Sequence, residues 1–353
     1  MKRHPNWTVI LVLAATLVLT FFRVPLASSQ GLTLVAPYVE QDLPIGDPDS
    51  PLWQQSTALA IPLSAQNVTR PMTLETTVRT VSARALHDGS RIALLVEWSD
   101  GTKNDTTVRA EDFRDAVAVQ FPLAEGPPFF CMGQVGGNVN IWHWKADWEA
   151  ELTARADVDS AYPDMYVDQY PFTSAAEPVS AAPADYTDPN YLPAMAFGNL
   201  LAAATRASSV EDLVAGGFGT LTAEPLAGQN VDGFGEWSGE TWRVIFSRDL
   251  RSTEPDDVRF AAGKLYAMAF AAWDGANGER NGQKSTSQWV SLQLAPAPGA
   301  AAPLGGAPAE QTAQRGWLNE GFYWVAGPVI ATLLLIPLLV GGLMLALRIY
   351  EKK

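Results

Sequence analysis

The sequence predicts a mainly β protein: an antiparallel β-sandwich with short helical insertions, followed by one C-terminal transmembrane helix. Three observations carry that expectation. Runs rich in valine, isoleucine and aromatic residues recur at 91–98, 116–121, 242–246, 265–273 and 289–294, a composition that suits pleated, half-buried strands. Asp88-Gly89, Asp100-Gly101, Asp274-Gly275 and Asn281-Gly282 bound these runs, and such pairs tolerate the positive φ of tight turns. Near the end, residues 322–347 are almost unbroken apolar sequence, long enough as a helix to cross a hydrocarbon core of roughly 30 Å.

Taken in order, residues 1–29 open with Lys2, Arg3 and His4, continue through an apolar run and reach the small residues Ala27-Ser28-Ser29. This is the layout of a secretory signal peptide, or of an uncleaved anchor, and either exports the domain at 30–294. Within that domain the apolar character of 92–98 and 264–273 is nearly continuous, which predicts central strands covered on both faces. Helical patterning is confined to 191–207 and 209–215, inside a middle section, 149–230, that reads as a long excursion with short helices. Asp157, Asp159, Asp164 and Asp168 in that section do not match an EF-hand loop and read as solvated. Residues 295–320, rich in Pro, Ala and Gly, form a linker. The helix at 321–348 holds no histidine or carboxylate before its basic flank, so it serves as an anchor. Its tail, 349–353, is expected in the cytoplasm.

Composition removes several functions. A formal charge of −14 argues against nucleic acid as a partner. Cys131 is the single cysteine, which excludes an intramolecular disulfide, the paired-cysteine attachment of c-type haem, cysteine-ligated iron-sulfur clusters and multi-cysteine zinc sites. There is no Gly-X-Ser-X-Gly nucleophile motif and no phosphate-binding glycine loop, and three histidines are too few for a zinc hydrolase.

The segment 131–148 gathers a soft thioether, Met132, a glycine-rich turn and three tryptophans, Trp142, Trp144 and Trp148. Thioether sulfur suits haem iron better than hard cations, and aromatic rings supply flat apolar surroundings. His143 offers the commonest haem-ligating side chain. The tryptophan spacing allows one shared face near a cofactor, and core packing explains it equally. His87, before Asp-Gly, is expected in an exposed turn.

The string Asn140-Ile141-Trp142-His143-Trp144-Lys145-Ala146-Asp147-Trp148 resembles the haem-binding gamma subunit of the ethylbenzene dehydrogenase and dimethylsulfide dehydrogenase group. So do, in order, Asp49-Ser50-Pro51-Leu52-Trp53 with 61–66 as a first strand region, 84–89 with 95–100 as a second, 115–122, 217–220, 239–248, 269–275 and 279–289. These subunits accompany molybdenum enzymes of the dimethylsulfoxide reductase type. The resemblance implies one non-covalent haem b per chain, with Met132 and Lys284 at the positions of the axial ligands. It gives His143 a structural or haem-edge role. By their charge, Arg243, Arg248 and Arg280 are candidates to neutralise haem propionates, with solvent as the alternative for arginines at sheet ends. A lysine ligates only as the neutral amine, so its pKa must be depressed.

The implied function is a membrane-anchored b-type cytochrome subunit, non-catalytic in itself. It would relay electrons between the iron-sulfur subunit of a molybdopterin oxidoreductase complex and an external carrier, on the extracytoplasmic face of the membrane. The competing expectation is an exported carbohydrate- or ligand-binding sandwich without haem, built on a tryptophan platform.

Overall fold

The computed structural model describes residues 32–128, 131–153, 155–164, 194, 197, 199–202 and 206–299. All belong to the first of two compact units, Met1–Ala300. The expected signal segment (1–29), the expected linker beyond 299, the expected helix at 321–348 and most of 191–207 lie outside the described residues. Among the described residues no helix is long and apolar enough to cross a membrane.

The described chain is mainly β. Its strands are β1 (Thr33–Ala36), β2 (Leu59–Ala65), β3 (Thr80–His87), β4 (Arg91–Ser99), β5 (Ala116–Pro122), β6 (Val139–Lys145), β7 (Val210–Ala215), β8 (Thr222–Ala223), β9 (Asp232–Ser238), β10 (Thr241–Asp249), β11 (Leu265–Trp273), β12 (Ser285–Ser287) and β13 (Val290–Leu294). They follow one hydrogen-bonded path, β8-β7-β6-β5-β11-β12-β2-β3-β4-β10-β9, with β13 pairing both β11 and β1. Every pairing is antiparallel except β1 with β13, which is parallel. The Asp88-Gly89 turn joins β3 to β4: Gly89 takes φ 90°, and Asp88 Oδ1 accepts from the backbone N–H of Ser90 and Arg91 at 2.8 and 2.7 Å.

The path doubles over so that its two halves share one core. On β6, Trp142 and Trp144 are fully buried. The Trp144 ring meets Trp242 of β10 at 4.9 Å between centroids and Trp98 of β4 at 6.2 Å. Trp142 meets Phe121 of β5 at 4.9 Å and Phe260 at 6.0 Å. Side chains of a strand alternate between faces, so these two tryptophans commit one whole face of β6 to the core.

Several expectations change. Residues 209–215 carry β7 instead of a helix. Val210 and Leu213 are buried there, and pairing with β6 (Asn140↔Val214, Trp142↔Asp212) gives the backbone its hydrogen bonds. Pro51–Gln55, in the expected first strand region, is a 3₁₀ turn capped by Ser50. His87 is buried, with Nε2 2.7 Å from the Ala295 carbonyl oxygen, and burial lowers its pKa. Trp148 leaves the strand for the short helix Ala146–Ala150, with Lys145 Nζ 3.9 Å from its ring centroid and the Arg206 guanidinium 4.2 Å from it.

Close packing over Trp144 requires glycine on β9, because a Cβ at Gly235 would lie 2.2 Å from Trp144 Cζ2. Overpacking of this kind costs about 1–3 kcal/mol. Gly235→Ala should therefore lower the urea midpoint with an unchanged m-value; an unchanged midpoint would show that the Trp144 ring has room to shift.

Candidate functional site

The face of β5, β6 and β11 that turns away from the tryptophan core is built from small residues. On β5, Val117, Val119 and Phe121 enter the core, and Ala116 and Ala118 take the other face. On β11, Met268 and Phe270 point inward while Ala271 and Trp273 line the reverse side. The alanines keep that side low, and above it lies a cavity of about 920 Å³ lined also by Ile141 and His143 of β6 and by Leu213 of β7. That volume falls in the range of cofactor sites, roughly 300–1,000 Å³.

Met132 reaches the cavity from the β5–β6 connection. Its carbonyl accepts from Gly217 N–H at 2.9 Å, and its side chain packs on the cluster formed by Ala116, Ala118, Val139 and Ile141. The next residue must be glycine. Gly133 has φ +75°, and a Cβ there would lie 2.7 Å from the Ala215 carbonyl oxygen and 2.8 Å from that of Gly137, so only glycine lets this loop lie against the end of β7.

Lys284 arrives from the opposite end of the domain, on the turn before β12. Asn281 supplies a positive φ of 54°. A Cβ at Gly282 would lie 2.3 Å from the Pro71 carbonyl oxygen, so the loop after β2 presses directly on this turn. Gln66, buried in that loop, clamps it. Its backbone N–H donates to the Lys284 carbonyl at 2.9 Å, its side-chain Nε2 donates to the Gly282 carbonyl at 2.8 Å, and its Oε1 accepts from Val68 and Thr69.

The two side chains converge. Lys284 Nζ lies 3.7 Å from Met132 Sδ although 152 positions separate them in sequence, and Nζ lies 4.9 Å from the centroid of Trp273. No carboxylate pairs with this ammonium among the described residues. Burial lowers its pKa to about 8, which brings the neutral amine within reach near physiological pH. A thioether is a weak hydrogen-bond acceptor, so stability of the chain alone gives little reason to aim an amine at it. A soft sulfur and an amine whose proton burial has loosened, facing each other above an apolar floor, are a donor set that fits a haem iron.

His143 lines the same cavity. Its ring stacks on Trp273 at 4.7 Å and 29°, and Nε2 is buried without a hydrogen-bond partner among the described residues. Its pKa is lowered well below the usual value, first by burial and then by the charges of Lys145, Arg114 and Lys284; the imidazole is neutral. Trp273, which sequence reasoning left unassigned, joins the two groups: it stacks on His143, sits under Lys284 Nζ, and donates from Nε1 to the Asn281 carbonyl at 3.1 Å.

Arg280 lines the cavity and is exposed, with its guanidinium 4.8 Å from the Phe113 ring centroid. Arg114, not singled out from the sequence, lines it too and bonds Asp147 Oδ2 at 2.6 Å. Trp142 and Trp144 lie elsewhere, fully buried on the core face of β6; their even spacing from each other and odd spacing from His143 separates them from the cavity. Arg243 pairs with Asp49 and Glu236, and Arg248 is buried against Asp257 at 2.7 Å, so neither lines it.

Residues 50–285, a span that holds Met132, His143 and Lys284, match the ethylbenzene dehydrogenase family. The chain belongs to that family. Among its relatives is a protein of Haloferax mediterranei named as a respiratory nitrate reductase heme subunit, 24% identical over 252 residues, which are 71% of this chain and 69% of the relative. The gamma subunit of chlorate reductase from Ideonella dechloratans is 26% identical over 61% of this chain and 64% of its own length. The gamma subunit of dimethylsulfide dehydrogenase from Rhodovulum sulfidophilum is 25% identical over 59% and 60%. Among solved structures, a family 9 carbohydrate-binding module from Caldicellulosiruptor kristjanssonii in complex with cellotriose aligns with a TM-score of 0.35 and 7% identity, over 78% of this chain and all of the module, a likeness too distant to inform the site.

Two outcomes follow for this family member. Lys284 holds its proton less tightly when folded, with a pKa of about 8 against the usual 10.5. The unfolded chain therefore binds more protons between about pH 8 and 10.5, and stability rises with pH across that window. Below about pH 8 the penalty is fully present. Urea titrations of the cofactor-free chain should show this rise, and Lys284→Met should lose it; equal slopes in the two would place Lys284 in solvent. Gln66→Ala removes several buried hydrogen bonds at once and should cost about 1–3 kcal/mol, seen as a lower midpoint together with faster proteolysis at 66–71.

Proposed function

We propose that this chain is a haem b electron-transfer subunit, one haem per chain, with Met132 and Lys284 as the axial ligands of the iron. The observation that carries the reading is the approach of Lys284 Nζ to Met132 Sδ at 3.7 Å inside a cavity with an apolar alanine floor. The names of the relatives, a heme subunit and the gamma subunits of chlorate reductase and dimethylsulfide dehydrogenase, point the same way. When bound, the haem supplies one-electron chemistry.

The remaining work belongs to the chain. Burial lowers the Lys284 pKa to about 8 and so eases loss of its proton. The Gln66 clamp and the Trp273 indole position the lysine turn, and Gly133 seats the methionine loop. Thioether ligation favours the reduced metal and raises its potential. His143, neutral and fixed by stacking on Trp273, lines the cavity wall beside the lysine. Arg280 at the rim supplies positive charge for the carboxylates of the cofactor.

In the whole assembly, this subunit would pass electrons between the iron-sulfur subunit of a molybdopterin oxidoreductase and an external redox carrier. The proposal extends to an extracytoplasmic location, with residues 321–348 as a single-pass anchor. A tryptophan-platform sandwich is disfavoured: among the described residues no tryptophan is exposed.

The purified chain should be red, with a Soret band, sharpened visible bands on reduction, and haem that extracts into acidified organic solvent. Met132→Ala and Lys284→Ala should each shift the spectrum and weaken retention about 10-fold or more, the scale of losing a coordinating group. Haem uptake by the wild type should fall as pH drops below about 8, the value to which burial lowers Lys284, because the ammonium cannot ligate. A chain that stays colourless when haem is supplied ends the reading. An unchanged spectrum in either variant dismisses that residue as a ligand and makes His143→Ala the next test.

A further inference from the structure

A second polar centre lies where β4 ends and β5 begins. Asp100 follows β4, Asp115 precedes β5 and Asp274 follows β11, and one carboxylate oxygen from each lies within 4.8 Å of the others. Asp115 is completely buried and Asp100 is 7% exposed. Asp115 is well provided for, accepting from Gly275 N–H at 2.8 Å, Asn104 N–H at 2.7 Å and Trp242 Nε1 at 2.9 Å. The other two have one oxygen each provided for, Asp100 Oδ1 accepting from Thr102 N–H at 3.0 Å and Asp274 Oδ2 from the Asn277 amide at 2.6 Å. Asp100 Oδ2 and Asp274 Oδ1 are buried with no hydrogen-bond partner among the described residues.

Unlike a structural ion-pair network, this group makes no ion pair among the described residues. The basic side chains nearest in sequence to Asp100 and Asp115 are committed elsewhere, Lys103 to Asp105 at 2.7 Å and Arg114 to Asp147 at 2.6 Å. Three converging carboxylates in a poorly solvated site repel one another strongly. The contrast is internal to the molecule. A second buried trio, Asp212, Glu224 and Asp257, contains the Arg248 guanidinium, 2.7 Å from Asp257, and the Asn140 amide, 2.6 Å from Asp212.

We propose that Asp100, Asp115 and Asp274 form a divalent-cation site that takes calcium. The donors are all hard oxygens. Thr102 Oγ1 lies 3.2 Å from Asp100 Oδ1 and 2.9 Å from Asn104 Oδ1, so neutral oxygens of the same loop lie beside Asp100. Calcium accepts six to eight oxygens in loose geometry, whereas magnesium demands a regular octahedron and keeps most of its water. The ion would tie three strand ends together where Ala116 of β5 pairs with Trp273 of β11, the edge of the cavity that carries the indole beneath Lys284.

The test uses the full-length protein as purified. After dialysis against a chelator and then against buffer, calcium titration should load one ion per chain by metal analysis. The thermal midpoint should rise by about 3–6 °C in millimolar calcium, the size expected for ligand linkage in a domain this large, with little response to equal magnesium. Asp274→Asn should abolish the calcium-dependent rise, and Asp212→Asn in the other trio should keep it. No bound calcium with identical midpoints in calcium and chelator overturns the proposal, whatever the variants do. Equal midpoints with a higher one for Asp274→Asn overturn it too, and assign the cluster to proton sharing.

Discussion

The alternation of side chains on β5, β6 and β11 is the constraint on which the rest of the structure depends. A strand sends successive side chains to opposite faces. Here one face carries Val117, Val119, Phe121, Trp142, Trp144 and Phe270 into the shared core, and the other presents Ala116, Ala118, Ile141, His143 and Ala271 to the cavity. Large and small residues are thus segregated by parity. A slip of one residue in register would fill the cavity with indoles and leave alanines to pack the core. Aromatic packing across the two halves of the sheet fixes that register, so the core determines where the cavity lies before any ligand is considered.

The site inherits its precision from this arrangement. Met132 is held by a loop that only glycine permits, and Lys284 by a turn pressed from behind by the 66–71 loop. Neither residue sits inside a strand, yet each is anchored within a few residues of one, Met132 through Gly217 beyond β7 and Lys284 immediately before β12. Groups brought from distant parts of a chain can meet within hydrogen-bonding range only if their supporting loops are rigid. Among the described residues the amine has no ion-pair partner, so its position rests on the backbone of its turn and on the Trp273 ring.

Much of this was legible in the amino-acid order. The long central strands β4, β10 and β11 announce themselves through dense apolar runs, and the Asp88-Gly89 hairpin through its turn chemistry. Met132 and Lys284 were reached by resemblance: periodicity does not distinguish a ligand methionine from core filler, or a buried lysine from a solvated one. What escaped notice has physical reasons. Val210–Ala215 is short, and its acidic residues at 211 and 212 hide its alternation until β6 provides a partner. Trp142 and Trp144 share an aromatic string with His143, but parity puts them on the opposite face. The alanine floor is silent in a sequence, since an alanine facing a cavity and one packed in a core look alike, and Gln66 resembles any loop glutamine until its hydrogen bonds are counted.

Buried charge is handled in two ways within one domain. Around Arg248 the carboxylates have a guanidinium among them; around Asp115 they have backbone amides and an indole N–H but, among the described residues, no ion-paired positive group. The loop at 66–71 shows a third kind of fastening. With Cys131 the single cysteine of the chain, no disulfide can close it, and the Gln66 amide does so through neutral hydrogen bonds. An amide has no oxidised or reduced form. The segment that sets the height of Lys284 above the cavity floor is therefore indifferent to the redox state of its surroundings, and electrons can come and go beside it without loosening the clamp.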